Sequence, residues 1–252
     1  FFHLYIGMKL FKIFILVLIL ISPADANTIY NLIKIPNLEI YKNNSLNEIK
    51  YLKAIKPFQV GIRDDNVTCF NSSDKTIKNN FDLIEKNLNK YDTSFLKKIN
   101  LKYVVLCENL SVSEIRSAGV PNYKMKTLVI DIKFNKKHFE RVIHHEVFHL
   151  INDSYENLFN YKEWSKFNET NFKYAKCSTC SDRLDLNLLD KTKGFLTEYS
   201  TSTASEDMAE LFSFLTIDKD KIKIKALKDP ILSKKISFLK KKLLKIDTNF
   251  KF

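Results

Sequence analysis

Apolar residues recur at helical spacing in four stretches of the chain, and short β-branched runs lie between the first two. In SDKTIKNNFDLIEKNLNKY (73–91), Ile77, Phe81, Ile84 and Leu88 stand three or four residues apart behind a Ser73/Asp74 cap, which predicts an amphipathic helix. NKKHFERVIHHEVFHLINDSY (135–155) predicts a longer helix, starting after Asn135 and ending in the breakers NDSY. A third helix is expected from near Thr203 through SEDMAELFSFL, with Met208, Leu211, Phe212 and Leu215 on its buried side. The last, PILSKKISFLKKKLLKI (230–246), carries Ile231, Ile236, Leu239 and Leu243 on one stripe and reads as a surface helix with its lysines outward. KYVVLC (102–107) and KTLVIDI (126–132) read as strands, and Gly119 and Pro121 in AGVPNYK signal a turn between them. Residues 27–63 give a mixed pattern, and 156–196, which hold the only tryptophan, Trp164, read as a long excursion braced by a disulfide. Helices and strands in this order predict an α+β fold.

Composition narrows the class. The chain has 252 residues, 45% of them hydrophobic, with 20 Phe and 11 Tyr, enough for a substantial core, and no repeat or composition shift divides it. Residues 27–252 are therefore expected to form a single domain. Residues 1–26 stand apart. Residues 1–7 read as upstream of the start, and from Met8 the sequence MKLFKIFILVLILISPADA has a basic n-region, an apolar core over 13–21 and an Ala24-Asp25-Ala26 cleavage site. That is the pattern of a secretory signal peptide, too short in its apolar part to span a bilayer comfortably. The expected location is secreted or periplasmic, with no stable membrane insertion after cleavage. In an oxidising compartment the four cysteines are expected to pair, Cys69 with Cys107 and Cys177 with Cys180. CSTC (177–180) has no second CxxC with which to complete a zinc site. Asn43, Asn66, Asn71, Asn109, Asn152 and Asn168 stand in glycosylation sequons.

The net charge of +12 is spread along the chain, with one real cluster at KKISFLKKKLLK, and no nucleic-acid-binding motif accompanies it. The expected partner is a peptide or protein substrate, not nucleic acid, and the expected state is a monomer.

The chemistry concentrates in one place. Four of the five histidines, His138, His144, His145 and His149, fall within twelve consecutive residues. His145-Glu146-Val147-Phe148-His149 is H-E-x-x-H on a predicted helix. Residues four apart lie on one face, so two imidazoles can converge on one ion at about 2.0 Å. Glu146 projects to the open side, where a carboxylate can take a proton from activated water and return it to a leaving amine. A hydrolytic zinc needs a third ligand, and no histidine follows His149. In TEYSTSTASEDMAELF (197–212), Glu206 and Glu210 stand one helical turn apart: Glu206 can ligate, and Glu210 can accept a hydrogen bond from the outer nitrogen of a ligand histidine. Two alternatives stay open: Glu206 completes a capping box with Thr203, or Asp207 is the ligand. His138 and His144 read as structural or solvated, and Trp164 as a core anchor. Serine and cysteine nucleophiles lack a downstream histidine to activate them.

HEVFH together with EYSTSTASEDMAE resembles the gluzincin branch of zinc metallopeptidases, specifically the anthrax lethal factor protease domain and a group of exported zinc metallopeptidases. VVLCENLSVSEIRSAGVPNY, VIHHEVFHLI and EWSKFNETNFKYAK extend the resemblance over about residues 58–215. It implies a zincin-like fold with one Zn2+ per chain on His145, His149 and Glu206, Glu146 as general base, and Glu210 behind a ligand histidine. It also implies that Tyr199, seven residues before Glu206, donates its phenol to the oxyanion, and that KTLVIDI forms the cleft edge that binds substrate as an added strand. The hydroxyl-rich STSTAS (200–205) has no role assigned by the resemblance. The expected function is secreted zinc-dependent hydrolysis of peptide bonds. The alternative is an exported zinc-binding recognition or toxin-like module with little or no catalysis.

Overall fold

The computed structural model describes residues 37–60 and 67–252. The signal-peptide segment (8–26) and the sequon at Asn66 lie outside the described residues.

The sheet is organised around one long strand. In chain order its strands are β1 (Leu38–Lys42), β2 (Lys50–Ala54), β3 (Phe58–Val60), β4 (Val67–Phe70), β5 (Tyr103–Val112), β6 (Ile115–Arg116), β7 (Gly119–Asn122) and β8 (Thr127–Asp131). The first half of β5 pairs in parallel with β2 and β8, giving the order β1-β2-β5-β8-β7. Its second half pairs antiparallel with β4 and β6, and β4 with β3. Side chains alternate across this strand: Val104 and Leu106 join the large core beneath the helices, while Val105 and Cys107 join a smaller core with Phe58, Val60, Val67 and Cys69. Burial on both faces explains why β5 and β8 read as unbroken apolar runs rather than as alternating ones.

Among the described residues seven helices complete an α+β fold: α1 (Asp74–Leu88), α2 (Thr93–Lys98), α3 (Lys136–Ser154), α4 (Tyr161–Ser165), α5 (Ala204–Ile217), α6 (Lys219–Leu227) and α7 (Pro230–Ile246). α1 begins where expected, the Ser73 hydroxyl accepting from the Thr76 amide, and α3 begins at Asn135, whose side chain accepts from the Lys137 amide. α5 is buried over most of its circumference and packs against α3. A helix apolar nearly all round is an interior one.

The structure corrects two expectations. KTLVIDI is not the edge of the sheet: β8 is paired on both sides, and the edge is β7, formed by GVPN, which the sequence pattern reads as a turn. Pro121 cannot donate to a ladder, which an edge strand tolerates and an interior strand does not. The buried stripe of α7 runs through Leu232, Lys235, Phe238, Leu239, Leu243 and Ile246, while Ile231 and Ile236 are only half-buried, so one lysine points inward. The disulfides form as expected, Cys69 with Cys107 across β4 and β5, and Cys177 with Cys180 in the excursion. Among the described residues no helix is long and apolar enough to cross a membrane.

Candidate metal centre and cleft

α3 and α5 bring the sequence-predicted residues together. His145 and His149 lie one turn apart on α3, and their Nε2 atoms are 3.1 Å from each other. From the first turn of α5, Glu206 Oε2 stands 2.9 Å from His145 Nε2 and 3.2 Å from His149 Nε2. These three side chains form a group of metal-ligating type in the described residues. Ligands about 2.0–2.1 Å from a tetrahedral zinc stand roughly 3.3 Å apart. The triangle of donor atoms is close to that size, and its two imidazoles and one carboxylate are a donor set zinc accepts, so the residues fit the ion.

Glu210, one turn further along α5, accepts from His145 Nδ1 at 2.8 Å, an arrangement that would leave the Nε2 lone pair for a metal ion. This carboxylate is only 1% exposed. It is held in turn by the Arg141 guanidinium on its Oε1 and by the Thr197 hydroxyl on Oε2 at 2.7 Å. Ser205 stands 3.4 Å from the outer nitrogen of His149, so one hydroxyl of STSTAS reaches a histidine of the site. The α5 cap is half a capping box: Thr203 Oγ1 accepts from the Glu206 amide at 3.2 Å, while the Glu206 carboxylate turns to the histidines. Asp207, the alternative ligand, faces away from them toward Lys235, Trp164 and Tyr174.

Burial alone works against every charge here, and the partners decide the balance. Burial raises Glu206, but the charges and hydrogen bonds of His149 and His145 outweigh it and hold the carboxyl well below its usual range. Burial lowers His145, and Glu206 and Glu210 together reverse that, taking it to about 10. Glu146 is compensated only in part: burial, joined by the charges of Glu206 and Glu210, outweighs the lowering by His145 and His149 and takes it to about 7. Burial, and then the charges of Glu206 and Glu146, push the Tyr199 phenol above its usual range, so it stays protonated.

Glu146 and Tyr199 line the same cleft as the two histidines and Glu206, a space of about 490 Å3 bordered by β7. The Tyr199 ring stacks on His145 with centroids 5.8 Å apart. Gly119 of β7 gives Glu146 its room: a Cβ there would lie 2.6 Å from Glu146 Cγ. His144 is structural, buried between Tyr91 (2.7 Å) and Asn87 (2.9 Å), and burial lowers it to about 3. His138, half-buried at the start of α3, is outside the donor group. Arg141, Thr197 and Ser205 escaped the sequence reading. Arg141 had a visible signal, since it precedes His145 by one turn on the same face.

Residues 105–243, more than half of the chain, match the model of a family described as "Putative zinc-binding metallo-peptidase". The chain belongs to this family. All residues of the candidate metal centre fall within the span matched by the zinc-binding metallo-peptidase model. Among solved structures the chain is similar to a "putative zinc-binding metallo-peptidase" from Bacteroides caccae ATCC 43185, at 19% identity over 68% of this chain and 67% of that one, with a TM-score of 0.41. No curated protein matches it.

Proposed function

We propose that the protein is a secreted zinc-dependent peptidase of gluzincin type, with a zincin-like arrangement in which His145, His149 and Glu206 hold one Zn2+ per chain. The observation that carries this reading is the meeting of three metal-type donor atoms with a buried Glu146 in one cleft. A zinc ion on these donors would polarise water and the scissile carbonyl. Glu146, raised toward neutrality by burial, is suited to take the proton of the attacking water and hand it to the leaving amine. Tyr199, kept protonated, donates to the oxygen that gains negative charge as the carbonyl carbon becomes tetrahedral. Glu210, fixed by Arg141 and Thr197, holds the His145 ring in one tautomer and orientation. β7, paired only with β8 among the described strands and lining the cleft, is the edge on which an extended peptide adds as a further strand. Two disulfides agree with an oxidising compartment and so with export.

Elemental analysis of the purified chain, combined with a peptide-library cleavage assay with and without chelator, tests the reading. One zinc per chain is expected, with cleavage that the chelator stops. Glu146→Gln is expected to keep the zinc and lose cleavage; wild-type activity in that variant removes the mechanism, and zinc binding without cleavage in the parent chain favours the recognition-module alternative.

A further inference from the structure

One cluster of buried charge lies outside the catalytic roles. Lys235 of α7 is 0% exposed, and its ammonium donates to Asp207 Oδ2 at 2.6 Å and to the Gly194 carbonyl at 2.7 Å, with the Phe195 ring 3.9 Å away. Asp207, 2% exposed, also accepts from the Trp164 indole at 2.8 Å and the Tyr174 hydroxyl at 2.5 Å. Trp164 and Tyr174 of the excursion and Lys235 of α7 thus converge on the one carboxylate next to Glu206. Stability does not account for it, because a buried ion pair is often no better than an apolar pair of similar volume. What the pair supplies is direction. Successive residues leave a helix about 100° apart, so tethering Asp207 to α4 and α7 sets the angle at which its neighbour Glu206 leaves α5. Thr203 holds only the backbone amide of Glu206, close to the helix axis, where it resists rotation weakly.

We propose that the Lys235–Asp207 pair is a positioning device for Glu206, fixing the rotation of the first turn of α5 and so the aim of that carboxylate at the two histidines. The inference rests on the reading of Glu206 as a metal ligand. Its test measures the cobalt(II) dissociation constant, the cobalt d–d absorption and the denaturant midpoint for the parent chain, Lys235→Met, and the double variant Asp207→Asn with Lys235→Met. The double variant leaves no buried charge unpaired and is expected to unfold close to the parent midpoint. It is nevertheless expected to bind cobalt at least ten-fold more weakly, with an altered d–d band, the scale of loss typical when the outer partners of metal ligands are removed. A purely structural pair moves the midpoint and leaves the affinity and spectrum of the folded chain alone. Parent-like affinity and spectrum in the double variant therefore overturn the inference while the metal reading stands. A parent chain that binds no cobalt overturns both.

Discussion

Gly119 and Arg141 show how single residues set the chemistry. At Gly119 the absence of a side chain is what matters: Glu146 Cγ occupies the space a Cβ would need, and the Val129 carbonyl blocks the other side at 3.2 Å. Gly119→Ala is expected to push the Glu146 carboxylate off its position and lower cleavage about 100-fold, the cost of misplacing a catalytic group by roughly an ångström. Zinc content should be unchanged, since no donor atom moves; a variant that cleaves normally removes Glu146 from the reaction, and one that loses zinc relocates the defect. Arg141 acts on the metal instead. Removing its guanidinium leaves Glu210 buried with one cationic partner fewer and loosens its grip on His145 Nδ1. Arg141→Met is expected to weaken zinc binding about 10- to 100-fold in a chelator competition, and an unchanged affinity shows that Thr197 alone suffices to hold Glu210.

Helices were far more legible in the sequence than strands, and the reason is period. α1, α3 and α5 each bury a face at three- and four-residue spacing and start at a side-chain cap, so Ser73, Asn135 and Thr203 marked their beginnings. Strands β1 to β4 are five residues or fewer and carry lysine, glutamine or threonine within them, and β2 and β4 pair with β5, distant in sequence, so their local pattern said little. β7 was hidden by Gly119 and Pro121, residues a turn uses and an edge strand merely tolerates. The same contrast divides the site: His145, Glu146 and His149 are readable as a unit, and Arg141 one turn before them shares their helix, whereas Lys235 is one basic residue among many, distinguished only by the buried carboxylate it meets. At this scale α3 is also locked to α1 by the buried His144, through Asn87 of α1 and Tyr91 just beyond it. Tyr91→Phe removes the hydroxyl partner of His144 Nδ1 and is expected to cost about 1 kcal/mol in denaturant unfolding, with zinc content intact. A loss of zinc there means that the orientation of α3, and not only its attachment, depends on the contact.

Across the whole molecule, the region where β4, β5 and the start of α1 meet ties the sheet to the helical layer. The Cys69–Cys107 bridge closes a separation of 38 residues, for which the loop-entropy relation gives about 4 kcal/mol. Next to it on β5, Glu108 accepts from the Ser73 amide at 2.9 Å and from Lys133 at 2.5 Å. Burial works to raise this carboxyl, but Lys133 and the Ser73 amide outweigh it and hold Glu108 below its ordinary value. The unfolded chain therefore binds the Glu108 proton at a higher pH than the folded one does. Between the two values the unfolded state carries more protons, so stability falls with falling pH. The contribution is complete above the ordinary glutamate range, near 4.5, and is lost as pH drops through the lower value of the folded state. Glu108→Gln is expected to be less stable than the parent at neutral pH and to lose less on acidification, so the two denaturant-midpoint curves converge at low pH. Curves that stay parallel across the acid range show that the Lys133–Glu108 contact contributes nothing to folding.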